Sequence, residues 1–167
     1  MSETKTPERI ENRVRLHDVL DSDLPLFFDH QQDPHANKIA AFTSEDPADR
    51  AAFDAHWQRI RSNESIVLKT ILFDENIAGY LAKFERMELP EVSYWLGKAF
   101  WGVGVGTAAL AKFIRIIPER PLYARVAKDN FASERVLEKC GFSVFGYDKA
   151  FAHARGEEIE ETIFVMI

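Results

Sequence analysis

The sequence predicts an α+β domain: a mixed sheet of about seven strands flanked by about four helices. Three observations carry that prediction. β-rich runs recur along the whole chain, four stretches with apolar residues at three- and four-residue spacing interrupt them, and two of the runs are close enough to form a hairpin.

In order, Val14-Arg15-Leu16-His17-Asp18 alternates apolar and polar residues as a half-buried strand does. Asp21-Ser22-Asp23 and Pro25 then supply the cap residues and early proline that start a helix. Residues 33–47 dissolve into turn formers, and a second helix over roughly 48–62 is marked by Ala52, Phe53, Trp57 and Ile60. The period changes next: the β-rich runs 65–73 and 76–84 flank Asp74-Glu75-Asn76, short enough for an antiparallel hairpin.

After Leu89-Pro90, residues 91–97 read as another strand. A helix over 104–117 places Val105, Ala109, Leu110, Phe113, Ile114 and Ile117 on one broad face and ends at Pro118. Residues 121–127 return to a strand. The helix 130–140 has Asn130 as its cap and Gly141 as its left-handed stop, and the strands 142–151 and 157–167 turn around Ala154-Arg155-Gly156.

Composition narrows the function classes. The chain has 167 residues, 46% of them hydrophobic, enough for one core without staples, and we expect a single domain over 13–167. Residues 1–12 are polar and read as a flexible lead-in. With 21 Lys+Arg against 27 Asp+Glu the formal net charge is −6, which repels phosphate backbones and argues against nucleic acid as a partner. Cys140 stands alone, and five scattered histidines offer no metal-ligand spacing, so neither a disulfide framework nor a metal is expected. No apolar run approaches the ~18 residues of a membrane helix, and no apolar leader opens the chain. A cytoplasmic protein with no membrane partner, monomer or homodimer, is the expectation.

The densest chemical signal is Trp101-Gly102-Val103-Gly104-Val105-Gly106-Thr107, at a strand-to-helix junction. Glycine lets a backbone approach a ligand closely, and the free amides and dipole of a helix start attract an anionic group. It is not a P-loop, because Thr107-Ala108 follows the last glycine where Lys-Ser/Thr is required. A dinucleotide fingerprint fails as well: residues 121–127 bring no acid to hold a ribose, and too little chain follows for a doubly wound domain.

Residues 91–110, followed after a strand by Asp129-Asn130-Phe131-Ala132-Ser133 through Cys140-Gly141-Phe142, resemble the acyl-CoA signature of the GNAT N-acetyltransferase superfamily, closest to its RimJ/RimL branch. The resemblance is close over roughly 91–146 and extends to the rest only by element order. It implies a GNAT acyl-CoA N-acyltransferase fold whose sheet splays open beside strand 91–97, with acetyl-CoA as cosubstrate in the gap. It implies that the backbone of Tyr94, Trp95 and Leu96 binds the pantetheine arm. The amides of Gly102, Val103, Gly104, Val105, Gly106 and Thr107 would wrap the pyrophosphate, and Asn130 would contact the arm near the thioester.

The implied reaction is direct attack of a primary amine on the thioester, the amine being a protein N-terminal α-amine or a small molecule. Relatives carry a tyrosine seven positions after the asparagine; here it is Leu137, and the branch instead points to Ser133 as the group facing the sulfur. Glu91 is the candidate base, with Glu85 beside it, while Arg125 stands where some relatives carry an acid. Cys140, on the predicted core face, reads as packing rather than as a nucleophile. Leu137 leaves a second reading open: a catalytically silent acyl-CoA-binding sensor or interaction module.

Overall fold

The computed structural model describes residues 8–167. One sheet of seven strands runs β1(Val14–Asp18), β2(Val67–Phe73), β3(Asn76–Arg86), β4(Leu89–Leu96), β5(Leu122–Ala127), β7(Glu157–Met166) and β6(Ser143–Ala152) from edge to edge. Every neighbouring pair is antiparallel except β4 and β5, which are parallel and paired at a single register position, Glu91 opposite Tyr123. Beyond that point the two strands diverge, and the sheet opens into a V.

Six helices, rather than about four, accompany the strands among the described residues: α1(Ile10–Arg13), α2(Leu24–His30), α3(Pro34–Ala40), α4(Arg50–Arg61), α5(Val105–Ile116) and α6(Phe131–Lys139). The extra α3 starts where the sequence suggests a turn, because Asp33 accepts hydrogen bonds from the amides of His35 and Ala36 and Pro34 takes the first helical position. Of the expected lead-in 1–12, residues 1–7 lie outside the described residues, and part of the rest is folded: Ile10, in α1, packs on the main core. Lys112 on α5 donates to the carbonyls of Glu11 and Val14, which fastens that turn.

Two hairpins set the register of the first half. Both turn on pairs of left-handed residues, Asp74-Glu75 and Met87-Glu88, a conformation whose twist matches the strands. Arg13 and Arg15 grip the first turn through two-pronged contacts to Asp74 and Glu75. The second hairpin brings Leu89 and Pro90 into β4, two residues ahead of the expected start.

The main core lies between one sheet face and α5, whose buried residues include Val105, Ala109, Leu110, Phe113 and Ile114, as the periodicity predicts, with Ile117 buried just past its end. On the other face Phe27, Phe53 and Trp57 from α2 and α4 pack around Tyr80. Strand alternation assigns the β4 side chains accordingly: Val92, Tyr94 and Leu96 turn to the α5 side, and Ser93 and Trp95 to the α2–α4 side.

Candidate functional site

The opening between β4 and β5 leads into a cleft of about 970 Å³, lined at one end by the glycine turn and the first turns of α5 and α6, and at the other by α3 and α4. Its shape follows from the sheet. A strand that loses its neighbour leaves one row of backbone donors and acceptors unpaired, and here that row belongs to β4 beyond Glu91.

Which peptide groups of β4 face the gap can be read from Gly79. A Cβ built there would lie 1.9 Å from the Trp95 carbonyl oxygen, so that carbonyl points at β3. Successive peptide groups alternate along a strand, so Tyr94 and Leu96 present theirs to the gap. The Leu96 carbonyl is already engaged by the indole of Trp101, 2.8 Å away. Of the three residues expected to offer backbone groups, Tyr94 thus has its peptide groups free, Leu96 keeps its amide, and Trp95 is turned the wrong way.

None of the main-chain amides from Gly102 to Thr107 has a hydrogen-bond partner among the described residues; the first bond of α5 runs from the Ala108 amide to the Gly104 carbonyl at 3.1 Å. Gly102 and Gly104 have φ of 79° and 89°, the region that favours glycine, which is why the turn is written with this residue. Gly102, Gly104, Val105, Gly106 and Thr107 line the cleft, whereas Val103 is half exposed and outside it. Arg135 and Lys139 on α6 also line it, and neither makes an ion pair among the described residues. These two cations lie one helical turn apart on α6 beside Val136, and no local motif in the sequence marks them.

Asn130 caps α6, its side-chain oxygen accepting from the Ser133 amide at 3.3 Å, and both residues line the cleft. The Ser133 hydroxyl is 3.1 Å from the Tyr94 hydroxyl. Burial pushes the Tyr94 phenol up, the serine contact opposing in part, so it stays protonated at neutral pH. The Tyr80 phenol, also on the cleft wall, is pushed up to about 12 by burial. Leu137 is 2% exposed and brings no hydroxyl.

Glu91 does not join this group. It is buried at the closed point of the V, where its carboxylate meets Arg86 at 3.2 Å and Arg125 at 3.3 Å. Arg125 also bonds Glu161 at 2.9 Å and Asp148 at 3.1 Å. Burial pushes the Glu91 carboxyl up while the two arginines pull it down. The cluster ties β4 to β5, β7 and β6, and Glu91 is absent from the cleft wall, as is Glu85. Cys140 is half-buried with its thiol pushed up by burial and its sulfur 3.5 Å from the Thr107 carbonyl, which fits packing.

A sheet parted at a parallel pair, with a glycine turn of free amides beside the parting, defines an acyl-CoA acyltransferase type of fold. The family model described as an acetyltransferase (GNAT) domain matches residues 13–143, and the chain belongs to that family. No curated protein matches it by sequence. Solved structures of the same fold include the microcin C7 self-immunity acetyltransferase MccE, in complex with acetyl-CoA and AMP, at 18% identity and a TM-score of 0.75, covering 93% of each chain. RimJ of Mycobacterium smegmatis, in complex with CoA-disulfide, is similar at 20% identity and 0.77, covering 92% of this chain and 81% of its own. RimL, a ribosomal L7/L12 α-N-protein acetyltransferase in its apo form, is similar at 17% identity and 0.74, covering 95% and 92%.

Proposed function

We propose that the domain over 13–167 is an acetyl-CoA-dependent N-acetyltransferase that transfers the acetyl group to a primary amine by direct attack on the thioester. The observation that carries this reading is the run of unpartnered amides from Gly102 to Thr107, whose residues other than Val103 line the same cleft as the unpaired edge of β4. A diphosphate at the turn would accept from the amides and sit in the field of Arg135 and Lys139. A linear amide-bearing arm would then pair along β4 through Tyr94, as an added strand does. MccE and RimJ, crystallised with acetyl-CoA and CoA-disulfide, support that choice of cosubstrate.

The acceptor end is acidic and aromatic, with Asp46 and Asp49 at its rim and Phe53 and Trp57 in its wall, which favours approach of a cationic amine. Its one histidine on the wall, His56, lies with Nδ1 3.2 Å from the Arg59 guanidinium, so that nitrogen accepts and the other carries the proton. With Glu91 held by arginines, no strong side-chain base faces the gap among the described residues. An amine that ionises weakly suits such a site: deprotonating an α-amine of pKa ~7.7–8.0 costs about 1 kcal/mol at pH 7, against about 4–5 kcal/mol for a lysine ammonium of pKa ~10.4. We therefore place N-terminal α-amines ahead of lysine side chains as acceptors, as RimL's description as an α-N-protein acetyltransferase also suggests.

The test is thiol release from acetyl-CoA against a panel of small amines and of peptides with free or blocked N-termini. Turnover with free α-amines supports the reading. Binding of CoA without turnover on any amine would support the silent acyl-CoA-binding module instead, and no CoA binding would overturn both.

A further inference from the structure

We infer that Tyr94 is the positioning residue for Ser133, holding its hydroxyl so that the serine proton is offered to the thioester sulfur. The inference rests on the acetyl-transfer reading above and assigns Tyr94 a side-chain task separate from that of its backbone.

The geometry begins with strand alternation. It sends the Tyr94 side chain to the α5–α6 side of the sheet, into a notch that Gly106 leaves open. A Cβ on Gly106 would lie 3.7 Å from one ring carbon of Tyr94 and 3.9 Å from another, with Val136 of α6 also at 3.7 Å. The ring is therefore seated between two helices and a strand, and its hydroxyl arrives 3.1 Å from Ser133 Oγ on the first turn of α6.

Neither hydroxyl has another hydrogen-bond partner among the described residues. Two hydroxyls carry two protons and share one hydrogen bond, so one O–H is always left for a third group. A phenol is a stronger donor and a weaker acceptor than an alcohol, which favours donation from Tyr94 to Ser133. The remaining proton is then the serine's. Accepting a bond also polarises the serine O–H and makes it a better donor in turn. Burial supports this by keeping the phenol protonated.

During transfer the amine nitrogen forms the new bond to the acetyl carbon, and the carbon–sulfur bond breaks with its electron pair on sulfur. Ser133 donates a hydrogen bond to the sulfur as that charge develops. The proton lost by the amine balances the proton finally gained by the thiol, so neither Ser133 nor Tyr94 changes its protonation over the cycle. Tyr94 touches no reacting atom, and its contribution passes wholly through Ser133.

That dependence dictates the experiment. Tyr94→Phe keeps the ring and the backbone, so melting temperature and CoA affinity should stay near those of the unaltered protein. Its kcat with the best amine should fall about tenfold, less than the ~10²–10⁴-fold of losing an acid–base group outright, because Ser133 itself remains. Ser133→Ala should lower kcat at least as far, and the double variant should be no slower than Ser133→Ala alone. Acetyl thioesters of more acidic thiols need less help at sulfur, so the Tyr94→Phe deficit should shrink along such a series, which a merely structural role would not produce. Unchanged kcat in Tyr94→Phe, multiplying losses in the double variant, or a deficit indifferent to the thiol would overturn the inference while leaving acetyl transfer intact. Absence of turnover by the unaltered protein on every amine would overturn the acetyl-transfer reading and this inference with it.

Discussion

Replacing Gly104 by alanine separates ligand binding from folding. At φ of 89° any residue with a Cβ is strained, at a cost of about 1–2 kcal/mol. The added atom meets only the Ile10 side chain, at 3.8 and 3.9 Å, so no clash adds to that figure. The variant should fold, with a melting temperature lower by about 2–8 °C. Relief of the strain rotates a peptide of the turn, and each amide withdrawn from a phosphate loses a charge-assisted bond of about 1.5–3 kcal/mol. CoA should therefore bind roughly 10- to 100-fold more weakly by titration calorimetry. Gly156, with φ of 66°, open space around it and a place in the β6–β7 turn, is the matched control. Gly156→Ala should cost similar stability and leave CoA affinity unchanged. Wild-type affinity in Gly104→Ala, or equal weakening in both variants, would refute the assignment of phosphate to this turn.

Three further outcomes follow from the packing. Gly79→Ala forces a Cβ to within 1.9 Å of the Trp95 carbonyl, which backbone on both sides cannot relieve, and should destabilise the protein by about 3 kcal/mol in urea unfolding. Arg125→Met leaves the buried Glu161 without its arginine and Glu91 with Arg86 alone, and should cost about 3 kcal/mol at pH 7, the deficit shrinking at acidic pH as Glu91, already pushed up by burial, takes up its proton. His30, which a Cβ on Gly97 would meet at 3.0 Å, is held below the usual histidine pKa by burial, with Asp29 opposing. The unfolded chain then binds a proton that the folded one refuses. Stability should be complete above about pH 6.5 and fall as the pH drops below it, a slope that His30→Leu should flatten in melts against pH.

What could be seen in the sequence was mostly local. The strands follow from β-rich runs, α5 from its six apolar positions, and the turn 102–107 from glycines whose positive φ is a property of two residues. Helix α3 was legible in principle, since Asp33-Pro34 is a capping pair, but turn-forming residues on either side mask it. The site's other half is long-range. Tyr94 and Ser133 meet across 39 positions, and neither carries a local mark of the other. Glu91 reads as a free carboxylate at the start of a strand until the parallel register with Tyr123 brings Arg125 beside it. The direction of the Trp95 peptide depends on how closely Gly79 lets β3 approach, which no pattern in β4 itself encodes.

The central claim is that the main-chain amides of residues 102–107 hold the diphosphate of CoA. Amide chemical shifts of the labelled protein, followed by NMR during titration with CoA and with pantetheine, test it most directly. Large shifts across Gly102 to Thr107 with CoA, absent with pantetheine while the β4 amides respond to both, are expected. Saturable CoA binding that leaves those six amides unmoved would contradict it.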